Sequence, residues 1–205
     1  MTIASRDNIY INTDERIFYI ADRIDEDTLS RVNFNLLYLL SQDSTRESIE
    51  IGFQRSPIHI YINSRGGSVY DMWSLVDIML QSKSPIYTYC TGYAMSAAFM
   101  IFLAGHKRIV TTHSTLMYHQ LSQYISGKYQ DLIENQKETD WVQKSCEDFV
   151  FDRTKITRKA LKENREKKQD WIFHSDDALK YGIATGVVDC LNVMPPDEDE
   201  EEENE

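Results

Sequence analysis

Pro85-Ile86-Tyr87-Thr88-Tyr89-Cys90-Thr91-Gly92-Tyr93-Ala94-Met95-Ser96-Ala97-Ala98 is the stretch on which the reading of this chain turns. Its first part, Pro85 to Cys90, is β-branched and aromatic and is bounded by Pro85 and Gly92, as a strand would be. Its last residues open an apolar helical segment, Ala97 to Leu103, that stops at Gly105. Ser96 therefore sits in a strand-to-helix turn beginning near Gly92. A hydroxyl there can face a cleft, and the next N–H can point at a developing oxyanion. Gly-x-Ala-x-Ser is not the Gly-x-Ser-x-Gly elbow, and an ordinary helix N-cap accounts for the serine until partners for it are found.

Upstream, Pro57 to Asn63 is an almost continuous apolar and β-branched run. That pattern predicts a strand in a sheet covered on both faces. His59 within it reads as a packed or rim residue. Ser64-Arg65-Gly66-Gly67-Ser68 then leads into a helix whose apolar residues Val69, Met72, Trp73, Val76, Met79 and Leu80 keep the 3.6 period. Strand, Gly-Gly turn, helix, strand, Ser turn, helix: the alternation predicts right-handed βαβ crossovers and a mostly parallel sheet. The Gly-Gly pair is either a tight turn or a place where backbone N–H groups approach a substrate unobstructed by Cβ atoms. It lacks the spacing of a phosphate-binding loop.

Toward the N-terminus, residues 1–14 are polar and weakly patterned, and Glu15 to Ile20 reads as the first strand. A helix starting at Asp25–Asp27 carries Leu29, Val32, Leu36, Leu37 and Leu40 on one face, and Ser41 to Arg55 reads as a polar loop. Downstream, Arg108–Thr112 is a short strand, and Ser114–Tyr118 leads into His119. A long helix from about Gln130 to Phe151 has only a thin apolar seam, so it projects from the core or packs on another subunit. Thr157–Lys168 reads as a basic, solvated helix, Asp170–Phe173 as extended, Ser175–Gly182 as a short helix and Gly186–Asp189 as a closing strand.

With 205 residues, 41% of them hydrophobic, the chain has room for one domain with a sizeable core. No run of 18 apolar residues is present, so nothing in the sequence spans a membrane. The first residues lack the layout of a signal peptide, which predicts a cytoplasmic location. Cys90, Cys146 and Cys190 are widely spaced and odd in number, as suits reduced thiols rather than a disulfide framework or zinc site. The net charge is −11, but Asp197 to Glu205 holds eight acids, leaving −3 elsewhere. That acidic block reads as a solvated tail over 192–205, and the near-neutral body gives nucleic acid no electrostatic footprint.

Ser96, His119 and a carboxylate beyond them are the groups that acyl transfer needs. A hydroxyl attacks poorly unless a base takes its proton. Histidine does this at neutral pH, and a carboxylate fixes its tautomer. Spacing alone does not show that these groups meet.

Several motifs in one unbroken order strengthen the case: Tyr61-Ile62-Asn63-Ser64-Arg65-Gly66-Gly67, Gly92 to Ser96, Met117-Tyr118-His119-Gln120, and Asp170 through Asp189. Together they resemble the proteolytic subunit of the Clp ATP-dependent protease. The resemblance covers about residues 15–191 and implies an α/β, crotonase-like fold of repeated ββα and βαβ units. Its projecting handle, a Gly-led strand and long helix, would lie over Gly127 to about Phe151. It further implies Ser96 as nucleophile, His119 as general base and then acid, and Asp170 as the orienting carboxylate. Asp176 and Asp177 remain nearby alternatives, better suited to capping a helix. The N–H groups of Gly67 and Ala97 would form the oxyanion hole. No metal or cofactor is implied.

By the same resemblance the subunits would form two stacked seven-membered rings, a tetradecamer, enclosing the active sites. An AAA+ Clp ATPase would feed unfolded polypeptide into that chamber. The chain departs from the family pattern at Arg65 (usually proline), at Ala97-Ala98 (usually Met-Gly), at the short turn Gly105–Arg108, and in having about fourteen residues before its first strand. These departures suggest a divergent, bacteriophage-encoded or organellar version whose coupling to an ATPase is open. A catalytically silent ring subunit and a crotonase-type acyl-CoA enzyme are the alternative readings.

Overall fold

The structure is a computed structural model that describes residues 8–188. Its frame is an eight-stranded sheet with strand order β1-β2-β3-β4-β5-β8, to which β6 adds beside β4 and β7 beside β6. The strands are β1 (Ile9–Asn12), β2 (Ile17–Ile20), β3 (Ile58–Ser64), β4 (Ile86–Met95), β5 (Lys107–Thr111), β6 (Thr115–Tyr118), β7 (Trp171–Phe173) and β8 (Gly186–Val188). The helices are α1 (Glu26–Ile49), α2 (Val69–Gln81), α3 (Ala97–Ala104), α4 (Tyr129–Arg153), α5 (Arg158–Lys167) and α6 (Ser175–Lys180). Five strand pairings are parallel, as the alternation predicts; β1 with β2 and β6 with β7 are antiparallel.

The sheet buries one face fully. Phe18, Ile20, Ile58, Ile60, Ile62, Ile86 and Cys90 point into the core with Met72, Leu75, Val76 and Met79 of α2. The opposite face, His59, Tyr87 and Tyr89 among others, stays half-buried, so the expectation of a sheet covered on both sides does not hold. Tyr61 and Tyr89 stack there at 4.5 Å, and His59 Nδ1 lies 2.8 Å from the Tyr89 hydroxyl, a packed residue as expected. All eight residues of α3 are buried, which its unbroken apolar sequence requires.

Four other boundaries differ from the sequence reading. β1 occupies Ile9–Asn12, where no strand was expected; Ile9 faces the core while Tyr10 stays exposed. α1 continues through the stretch Ser41–Ile49 that reads as a loop, and its buried face uses Leu39 where Leu37 was expected; Leu37 is exposed. The polar second half of α1 is anchored by Asp43, which Arg16 grips with both terminal nitrogens and Ser84 Oγ also meets. Burial alone would raise the Asp43 carboxyl, but the hydrogen bonds from Arg16 and Ser84 and the charges of Arg16 and Arg55 outweigh it and hold it below 3.8. β4 runs on to Met95, past the expected end at Cys90. Residues 119–128 form no regular element, so the Gly-led strand of the handle is absent. The long helix α4 is present, and Tyr129, Leu132 and Trp141 in its first half are exposed. Cys90 and Cys146 are buried free thiols; Cys190 and the acidic tail lie outside the described residues.

Candidate active site

The length of β4 is what assembles the site. Its first half pairs with β5, and its second half, beyond Gly92, pairs with β6 in the register Tyr93↔Thr115, Ala94↔Leu116, Met95↔Met117. Asn63 Oδ1 makes that extension possible. It accepts the Tyr93 N–H at 3.3 Å and fills the space where a Cβ on residue 92 would stand, 2.6 Å away. The ladder delivers Ser96 and His119 side by side just past its end. The Ser96 N–H donates to Met117 O at 2.9 Å, and Ser96 Oγ lies 2.8 Å from His119 Nε2.

Ser96 holds φ 55° and ψ −123°, a region that non-glycine residues seldom occupy. Such strain costs about 1–3 kcal/mol and persists only where the surroundings enforce it. Ser96 occupies the N-cap position of α3, but its side chain makes no capping hydrogen bond, so capping does not account for its hydroxyl. The hydroxyl is committed to the imidazole instead.

The Gly-Gly turn forms the facing wall. A Cβ on Gly66 would stand 2.8 Å from Ser96 Cβ and 2.9 Å from Ala97 N, so the two turns are in direct contact. Ile24 pairs with this turn from the other side, donating to Gly66 O at 3.0 Å and accepting from the Ser68 N–H at 2.7 Å. Among the described residues, the N–H groups of Gly67 and Ala97 donate to no protein acceptor. Both belong to the cleft of about 760 Å³ into which Ser96 and His119 open.

Asp170 makes no hydrogen bond to this pair. It is exposed and, among the described residues, forms no hydrogen bond or ion pair. It nevertheless ends the segment that leads into β7, which pairs with β6 as Tyr118↔Trp171. One further residue of that register would put Asp170 opposite His119. Asp176 and Asp177 lie in the first turn of α6, where carboxylates favour the helix dipole, but the N-cap is His174 and neither aspartate makes the capping hydrogen bond expected of it.

Two residues that the motifs did not mark shape the cleft from α4. Gln143 Oε1 accepts the Leu121 N–H at 2.8 Å and so ties down the chain after His119. Cys146 lines the cleft, but burial pushes its thiol up to about 12, leaving it protonated at neutral pH. Burial likewise raises the Tyr118 phenol beside His119. The seam Val142, Cys146 and Val150 signalled which face of α4 turns inward, but not what it meets. Among the described residues no three His, Cys, Asp or Glu side chains cluster as metal ligands, and no helix is long and apolar enough to cross a membrane.

A strained serine at a strand-to-helix turn, paired with histidine and walled by a Gly-Gly turn, is the arrangement that the motif resemblance implies, and comparison with known proteins shows the family. The family model described as Clp protease matches residues 4–190. The chain belongs to the Clp protease family. It is 34% identical over 176 residues to the ATP-dependent Clp protease proteolytic subunit 4 of Rhodococcus jostii, covering 85% of this chain and 84% of that one. Identity to the proteolytic subunit of Deinococcus radiodurans is 29% over 177 residues, 85% and 81% of the two chains. A solved structure of a ClpP1 mutant from Listeria monocytogenes superposes with a TM-score of 0.73, covering 88% of this chain and 95% of that one. At 22% identity that likeness speaks for the fold alone. The chain is thus a divergent, ClpP-like serine peptidase in family and fold.

Proposed function

We propose that this protein is a serine endopeptidase that hydrolyses peptides and unfolded polypeptides inside a chamber built from rings of its own subunits, supplied by an AAA+ ATPase unfoldase. The 2.8 Å approach of Ser96 Oγ to His119 Nε2 beside two free amide donors carries the reading. As Oγ attacks the scissile carbonyl carbon, its proton passes to Nε2. The carbonyl oxygen becomes an oxyanion held by the Gly67 and Ala97 N–H groups, each such donor contributing about 10²–10³ in rate. His119 then gives the proton to the departing amine, and water completes the cycle by the same route in reverse.

Protonation at Nε2 requires an acceptor for the proton on Nδ1. Asp170 is our candidate, brought opposite His119 by extending the β6–β7 register one residue, where paired Cα atoms lie about 4.5–5.5 Å apart. The exposed first half of α4, with Trp141 and Leu132 uncovered, suits a contact between rings. Enclosure also has a physical rationale, since a peptidase of low specificity is safe only where folded proteins cannot enter. The second reading, a catalytically silent ring subunit, draws on the unpaired state of Asp170. Family membership leaves acyl-CoA chemistry without support.

The test is hydrolysis of a short neutral fluorogenic peptide by the wild type and Ser96→Ala, with assembly followed by sedimentation. A loss of about 10⁴–10⁶ in the variant supports the peptidase. Intact rings that hydrolyse nothing in the wild type establish the silent subunit.

A further inference from the structure

Arg65 lines the cleft but has no part in the steps above. Its side chain is exposed, and among the described residues no hydrogen bond or ion pair engages its guanidinium. What holds it is the Tyr93 ring, 5.3 Å away. An aromatic face restrains a guanidinium without neutralising it and leaves its N–H edges free for a carboxylate. The backbone beneath is rigid: Ser64 Oγ donates to Asp22 O and accepts the Gly66 N–H, and Gly66 abuts Ser96. The backbone of Arg65 is therefore fixed next to the Gly-Gly turn, and the Tyr93 ring restrains the cation it carries.

A second cation reaches the cleft from the neighbouring segment. Arg23 precedes Ile24, which pairs with Gly67, and its guanidinium is also exposed and unpaired among the described residues. Among the described residues that line the cleft, Asp22 is the one carboxylate. Two arginines against one aspartate make the charged lining net positive, on a chain whose net charge is −11. A field of that sign at the scissile position favours negative charge in whatever binds.

We infer that Arg65 is a specificity-determining residue that selects substrates carrying a carboxylate beside the scissile bond, with Arg23 reinforcing it. The inference rests on the peptidase reading. The carboxylate has two sources: an Asp or Glu side chain within the polypeptide, which makes cleavage favour acidic sites, or the free C-terminus of a short peptide, which makes the enzyme trim ends. Arg presents two parallel N–H donors to either.

The test is calorimetric titration of the Ser96→Ala protein, with and without Arg65→Gln, using matched short peptides. One set walks a single Glu through a neutral amidated background against Gln controls; the other compares a neutral peptide as free acid and as amide. At low salt, Glu at one position, or the free acid, binds about two- to fivefold more tightly than its neutral partner, the range for a partly exposed ion pair. The preference shrinks in high salt and disappears in Arg65→Gln, which still binds the neutral amide as before. Which set responds identifies the source of the carboxylate. No preference with Arg65 present, or an equal preference in the Arg65→Gln variant, overturns the inference. Turnover is measured separately on protein with Ser96 intact: charge selectivity without hydrolysis would sink the peptidase reading and leave Arg65 as a carboxylate-binding residue with no scissile bond to select.

Discussion

Replacing Gly66 by alanine tests whether the two turns must touch for the chemistry to run. Gly66 holds φ +95°, and a Cβ there would meet Met95 O at 2.5 Å, Ser96 Cβ at 2.8 Å and Ala97 N at 2.9 Å. None of these atoms is the free end of a flexible side chain, so the Gly-Gly turn and the Ser96 turn must separate by up to about 1 Å to restore normal contact. The folding penalty is that of a left-handed non-glycine residue, about 1–3 kcal/mol. In a domain of this size about 2 kcal/mol lowers Tm by roughly 4–8 °C. The catalytic penalty is larger, because the same separation carries the Gly67 N–H away from the oxyanion. Loss of one donor costs about 10²–10³ in kcat with KM little changed. The assay is steady-state hydrolysis of a neutral fluorogenic peptide well below the variant's Tm, with circular dichroism to establish folding. A folded variant within about tenfold of the wild-type kcat refutes the assignment of Gly67 to the oxyanion hole.

Ser96→Gly relieves the strained backbone and so melts above Ser96→Ala, by about 2–4 °C per kcal/mol released; equal melting temperatures would contradict the strain. Asp43→Ala leaves Arg16 without its buried partner and lowers stability to urea by about 3–5 kcal/mol, while a change under about 1 kcal/mol removes the clamp from the account. Because the folded Asp43 carboxyl sits below 3.8, the stability it contributes is full above that pH and lost as pH falls through the folded value. His59 has the same sign at higher pH. Burial, helped by Arg16, lowers it below 6.5, so stability declines as pH drops from 6.5 toward the folded value. His59→Gln flattens that slope in urea titrations, and an unchanged slope excludes His59 as its origin. Asp170→Asn reduces kcat about 10³–10⁴-fold if this carboxylate orients His119 during turnover, as in other serine–histidine–aspartate enzymes; wild-type activity would remove it from the mechanism.

The alternation of elements, and hence the parallel sheet, was legible because buried strands and amphipathic helices leave different periods in the sequence. What escaped was set by long-range partners. Ile9–Asn12 is only four residues long, too short for its alternation to announce a strand, and it becomes one by pairing with β2. Ser41–Ile49 lacks an apolar stripe because its anchor is one buried aspartate whose partners lie 27 and 41 residues away. Gly92 looked like the end of a strand because glycine usually punctuates; here Asn63 occupies its vacant flank and lets β4 continue. That extension decides the site. The pairing of Met95 with Met117 brings residues 96 and 119 together, and no local spacing encodes it. Residue types and motif order pointed to Ser96 and His119, whereas contact between them is a property of the sheet. The distance still separating Asp170 from His119 is set by where the short β6–β7 ladder ends, equally invisible in the sequence.

The most direct test of the account is to treat the assembled protein with a fluorophosphonate and locate the adduct by peptide mass spectrometry. The account predicts a single phosphonyl group on Ser96 Oγ, absent in Ser96→Ala and formed far more slowly in His119→Ala. A wild-type protein that stays unlabelled, or labels at full rate without His119, would contradict it.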